Sequence, residues 1–211
     1  MSKHIANLIK QGEHQTLDFK HSISDSKKIA RSLAAFANTD GGILLIGVKD
    51  NGNVSGVNFD EEYYMLEAAA EMYCKPEVKF SVTRWDINKK VVLEVLVKPD
   101  HKNLYKALDK EGKWKAFFRV NDENLLATPL RVKVWNAIRY RKPIKISLTP
   151  QDQVLIDYLN KQKQVTVDEC SRAAFLPHKE AEQRLINLVV LGAATFKSTH
   201  EKDFFEVTGE R

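Results

Sequence analysis

Little in this chain suits a secreted, disulfide-bonded or membrane-spanning protein. Only two cysteines occur in 211 residues, Cys74 and Cys170. They are too few and too far apart for a disulfide framework or a zinc cluster, so two reduced core thiols are expected. No run approaches the ~18–20 apolar residues that a membrane-spanning helix needs. The opening residues, Met1 to Asn7, carry neither a long apolar stretch nor a small-residue cleavage site, so no secretory signal is expected. A cytoplasmic protein with no membrane contact is the expectation. There is no internal repeat and no low-complexity segment. Gly41-Gly42 lacks the spacing of a phosphate-cradling loop. The six histidines are scattered, and no nucleophile-elbow spacing appears.

What is present is an ordinary globular balance, 43% apolar and 29% charged, enough for one large or two modest domains. The net charge is +5 and the pI about 9.0. A basic excess is one mark of a nucleic-acid partner, because each Lys or Arg near a phosphate displaces a counterion. The residues up to Lys142 sum to +6 and those from Pro143 to −1. Binding is therefore expected on the N-terminal part.

Periodicity divides the chain at Arg141-Lys142-Pro143-Ile144-Lys145. The first part, residues 1–142, reads as an α/β (α+β) domain with a mixed sheet. It opens with a short helix from Ile5 to Lys10 and a strand from Gln15 to His21. A helix capped by Ser24 or Asp25 then runs to Asn38. The apolar run Ile43 to Val48 suits a strand buried on both faces. Val54 to Val57, a helix from Asp60 to Tyr73, and a hairpin of Val78 to Trp85 with Lys90 to Val97 follow. Shorter strands at Leu104 to Leu108 and Trp114 to Val120 precede a helix from Pro129 to Tyr140. The second part, 147–211, has the order of a small winged helix-turn-helix domain. Helices are expected from Thr149-Pro150, at Asp168 to Ala174 and at His178 to Leu191. Wing strands are expected at Ala194 to Lys197 and Phe204 to Val207.

Three segments stand together: Gly12-Glu13-His14-Gln15-Thr16-Leu17-Asp18-Phe19-Lys20, Ala34-Ala35-Phe36-Ala37-Asn38-Thr39-Asp40-Gly41-Gly42, and Leu45-Ile46-Gly47-Val48-Lys49-Asp50. With Phe118-Arg119-Val120 further on, their order and spacing resemble the Schlafen-type AlbA-like (AlbA_2) family. The resemblance spans roughly Glu13 to Val120 and implies DNA or RNA binding. Plain physics also gives these residues roles. Gly41-Gly42 supplies positive φ after a helix, Asn38 can cap a helix end or bond across a turn, and Phe36 suits a core.

Some members of the family resemble metal-dependent endoribonucleases that use three acids. That resemblance places Glu13, Asp18 and Asp40 as metal-binding and catalytic candidates for Mg²⁺ or Mn²⁺. Asp18 stands where the family usually has Glu. The plainer reading makes Glu13 and Asp40 solvated turn acids and pairs Asp18 with Lys20 or Arg31. Nucleic-acid-binding candidates are Lys20, Lys102, Lys106, Arg119, Arg131, Lys133, Arg139 and Arg141, with Trp114, Trp135 and Tyr140 among them for stacking. In the second part Lys179 and Arg184 are groove-facing candidates.

The expected function is a nucleic-acid-binding protein, a DNA-binding transcriptional regulator acting on phosphates without catalysis, without a cofactor and as a homodimer. The alternatives are a metal-dependent endoribonuclease acting on structured RNA such as tRNA, and a dimeric protein-interaction module.

Overall fold

A computed structural model of the chain describes residues 3–140 and 149–208. These form two compact units that meet in sequence at Ala127/Thr128.

Unit 1 contains α1 (Lys3–Gln11), β1 (Leu17–Lys20), α2 (Ser26–Asn38), β2 (Gly42–Ile46), α3 (Phe59–Met72), β3 (Cys74–Lys75), β4 (Phe80–Ile87), β5 (Lys90–Val97), β6 (Lys106–Leu108), β7 (Trp114–Val120) and β8 (Glu123–Leu126). One sheet has the order β1-β2-β5-β4, with β1 and β2 parallel and the other pairs antiparallel. The second, β3-β6-β7-β8, is antiparallel throughout. The mixed α/β class expected from the sequence is the class observed.

The central element is α2. Asp25 caps it by accepting the Lys27 N–H. Every residue from Ser32 to Asn38 is buried, as a helix flanked by two sheets requires. Ala34, Ala35 and Ala37 keep the helix thin, while Leu33 and Phe36 fill the core with Leu44, Ile46, Val95 and Phe117. Each large side chain buried there contributes about 1.5–3 kcal/mol. The opposite face of the first sheet, with Leu17, Phe19, Leu45 and Val92, is covered by Ile5 of α1. So β2 is apolar on both faces.

The turn after α2 needs its glycines. Gly41 has φ +72°, and a Cβ at Gly42 would sit 2.4 Å from the Phe36 ring. Asn38 does more than end the helix. Its amide donates to the carbonyls of Tyr105 and Phe117, and its oxygen accepts the Tyr105 N–H. It ties α2 to the second sheet rather than bonding across its own turn. The expected strand at Val54 to Val57 shrinks to one bridge between Val48 and Val54, while β3 and β8 are additional.

Unit 2 contains α4 (Pro129–Arg139), α5 (Pro150–Gln162), β9 (Gln164–Val165), α6 (Val167–Ala173), α7 (His178–Val190), β10 (Ala194–Ser198) and β11 (Asp203–Val207). Its antiparallel sheet has the order β10-β11-β9. Thr149 with Asp152 and Thr166 with Glu169 form capping boxes on α5 and α6. Leu155, Leu159, Cys170, Leu185, Ile186 and Phe205 form the core, joined by Val134 of α4. The helix at 129–139, placed by periodicity at the end of the first domain, thus packs in unit 2. Thr128 caps it and also donates its hydroxyl to Asp203. Cys74 and Cys170 are buried, and burial pushes both thiols up to about 12. No helix among the described residues is long and apolar enough to cross a membrane.

Candidate nucleic-acid interface

The signature residues gather around β1, an edge strand. Leu17 and Phe19 turn their backbone groups outward, where no strand pairs them, and such groups must find partners. His14 exchanges both backbone hydrogen bonds with Leu17. Arg119 Nη2 donates to the Leu17 carbonyl at 3.2 Å and to the His14 carbonyl at 3.3 Å. Glu13 Oε1 accepts the Phe19 N–H at 2.8 Å, and Lys20 Nζ donates to the Phe19 carbonyl at 2.7 Å. The edge is closed by side chains.

Asp18 faces inward and is 3% exposed. Its Oδ1 accepts from Arg119 Nη2 at 3.2 Å. Its Oδ2 lies 2.9 Å from Lys20 Nζ, an ion pair that is too bent to count as a hydrogen bond. Arg119 is 1% exposed. Its Nη1 donates to Asn124 Oδ1, its guanidinium lies 5.1 Å from the centre of the Phe36 ring, and its Nε has no partner among the described residues. Arg119, expected as a phosphate contact, is therefore a buried structural cation. A guanidinium committed to two carbonyls, a carboxylate and an amide cannot reach a ligand outside.

The three acids divide. Glu13 lies against Asp18, and burial, with that neighbour, pushes its carboxyl above the usual glutamate range. Asp40 is exposed and accepts from Gln15 Nε2 at 2.8 Å. Gln15 also donates to the Arg119 carbonyl and accepts the Asn121 N–H. No group of three or more His, Cys, Asp or Glu among the described residues is placed to hold a metal ion. Asp18 is neutralised on both oxygens by cations of the protein itself. As placed, Glu13, Asp18 and Asp40 do not fit Mg²⁺ or Mn²⁺. Of the pairings expected for Asp18, Lys20 is present. Arg31 instead donates from Nε to the Leu108 carbonyl.

The remaining cations differ in availability. Lys102 and Lys106 are exposed and make no ion pair among the described residues. Lys106 stands directly opposite Lys75 across β3 and β6, a like-charge pairing that costs stability unless an anion relieves it. Lys75 Nζ lies 4.4 Å from the centre of the Trp114 ring. In unit 2, Lys133 pairs with Glu182, and Arg131 is half-buried. Arg139 is exposed, 5.4 Å from the Trp135 ring centre and 4.8 Å from that of Tyr140. Lys179 is exposed. Arg184 differs from expectation: it bonds Asp152, Glu180 and the Thr149 hydroxyl, so it ties α7 to the cap of α5. Arg141 lies outside the described residues.

Regrouped by the observed units, the charge is +1 up to Ala127 and +4 from Thr128. The expectation that the excess belongs to the first domain reverses once α4 moves to unit 2. From Asn124 to Gln151 the chain has six cations and no acid. That acid-free run is visible in the sequence to a count of acids alone.

No curated protein matches the chain. Among solved structures, it is similar to the DIP2311 protein from Corynebacterium diphtheriae, with 18% identity and a TM-score of 0.47 over 92% of this chain. The chain spans 40% of the length of that one. It is also similar to the N-terminal domain of an ATP-dependent DNA helicase RecG-related protein from Nitrosomonas europaea. There the identity is 18% and the TM-score 0.40, over 69% of this chain and 95% of that one. The family model described as Schlafen, AlbA_2 matches residues 13–128. That match runs from the acid that closes the β1 edge to the cap of α4 and covers more than half of the sequence, so the chain belongs to the Schlafen AlbA_2 family.

Proposed function

We propose that the chain binds nucleic acid through phosphate contacts and base stacking, without catalysis, and that it serves as a DNA-binding regulator. One observation carries this reading: the cation-and-aromatic stripe on α4. Arg131, Trp135 and Arg139 recur at four-residue spacing, which places them on one helical face. Arg139 packs its planar group against Trp135 and Tyr140 yet stays exposed. A guanidinium held over aromatic rings offers a charge to phosphate and a flat surface to a base. The stripe sits in a run that itself contains no acid, and of its cations Lys133 pairs with Glu182. In unit 1, Lys75, Lys106 and Trp114 repeat this chemistry on a sheet. We read unit 2, with its helix order and three-stranded sheet, as a winged helix-turn-helix, and the assembly as a homodimer.

Fluorescence anisotropy with labelled single- and double-stranded DNA and RNA tests the reading. Affinity is expected to fall steeply with added salt and to survive chelation of metals. Arg139→Glu weakens binding to all sequences and lowers the salt slope by about 1. Absence of binding to every probe at low salt would overturn the proposal. So would wild-type affinity and slope in Arg139→Glu.

A further inference from the structure

The connection from β1 to α2 opens on a cleft of about 370 Å³. That lies within the range of ligand pockets, roughly 300–1,000 Å³. It sits at the carboxyl end of β1, where the chain leaves a parallel pair to enter a helix. Open α/β sheets present their ligand crevices at such ends.

The wall is cationic and hydroxylic. Lys20 comes from the end of β1, and Lys28 and Arg31 come from the first turns of α2. Lys28 is exposed and makes no ion pair among the described residues. Arg31 spends Nε on the Leu108 carbonyl, and no other hydrogen bond from its guanidinium is made to the described residues. Ser22, Ser24 and Ser32 add three hydroxyls. Ser32 is the telling one. It is 3% exposed and accepts from Asn124 Nδ2 at 2.9 Å. Its own proton is donated to no group among the described residues. A buried hydroxyl with an unspent donor, lining a cleft, calls for an acceptor inside that cleft. Asn124 is fixed in turn by Arg119, so the floor is held rigidly by the buried charges below.

Two acids also line the space, Asp25 and Glu123. Asp25 has one oxygen engaged by the Lys27 N–H as the helix cap. Lys20 is held by Asp18, so Lys28 and Arg31 face Asp25 and Glu123, and with three hydroxyls they favour a ligand that accepts many hydrogen bonds. The buried side chains of Ile23 and Ile29 supply an apolar wall. The volume exceeds what an inorganic anion fills.

We propose that this cleft binds the terminal phosphate of a nucleotide, with sugar or base against Ile23 and Ile29. A free mononucleotide and the 5′ end of a strand share this chemistry.

The test is an amide NMR titration of the full chain with a nucleoside 5′-monophosphate, and with the same nucleoside lacking phosphate. The monophosphate shifts residues 22–32 and Asn124 and saturates, while the nucleoside does not. Lys28→Glu, at an exposed position with no ion pair, weakens the monophosphate about fivefold to tenfold. Short strands with a 5′-phosphate or a 5′-hydroxyl then separate the sources. A gain from the 5′-phosphate that Lys28→Glu abolishes and Arg139→Glu leaves intact assigns the cleft to strand ends. Equal affinity of the two strands assigns it to free nucleotides. No shift at the cleft with millimolar monophosphate overturns the proposal, as does an equal response to the nucleoside or an unchanged affinity in Lys28→Glu. Loss of strand binding with retained monophosphate binding overturns only the α4 reading.

Discussion

Arg119 brings five N–H groups into a place closed to water. Asp18 and two carbonyls at the β1 edge accept its hydrogen bonds there. Removing one partner of a buried pair costs about 3–5 kcal/mol, and without Arg119 the Asp18 carboxylate would keep Lys20 alone. Arg119→Met is expected to lose that much in urea denaturation. Asp18→Asn combined with Arg119→Met is expected to lose less than the two single changes summed, because the pair acts as a unit. A surface phosphate contact would behave otherwise, changing stability by no more than about 0.5 kcal/mol. Part of this cluster was legible in the sequence. Asp18 and Lys20 stand two apart on a strand and so share a face. Arg119 was not, because its partners lie a hundred residues earlier and only the folded sheets bring it beneath β1. Asp40 is the exposed turn acid of the plainer reading, and its partner Gln15 was not legible, because a place in the Gly-Gly turn does not say where the side chain goes.

At the level of elements, the α6–α7 turn is under local strain. Phe175 has φ +53° and is 95% exposed. A left-handed conformation costs an ordinary residue about 1–2 kcal/mol, and this ring recovers none of it by burial. Phe175→Gly removes the strain and adds some unfolded-state entropy. Stability is expected to rise by about 0.5–1 kcal/mol, read as a shift of the denaturation midpoint with unchanged slope. A fall would mean that the ring is held by something the turn does not reveal. The long elements were legible for physical reasons. α2 carries its cap and its alanines, and the Ile43 to Val48 run announced a strand covered on both sides. β3 and β8, two and four residues long, are too short to show a period. The helix after Thr128-Pro129 was legible as a helix. Its apolar positions Leu130 and Val134 say that it packs on something, but not on what.

The whole molecule turns on that last point. With α4 in unit 2, the boundary falls at Ala127/Thr128, and the positive excess goes with the helix. A fragment of residues 128–211 should therefore unfold cooperatively, and one of residues 143–211 should be weaker. Leaving out Leu130 and Val134 uncovers apolar surface on unit 2 worth about 2–4 kcal/mol. Equal denaturation midpoints for the two fragments would show that α4 adds nothing to this unit. The sheet of unit 1 carries a separate consequence. Its β1 end is sealed by Glu13, Lys20 and Arg119, while β4 forms the other end. A sheet with one sealed end cannot polymerise. Any strand-to-strand association of native chains through it stops at a pair.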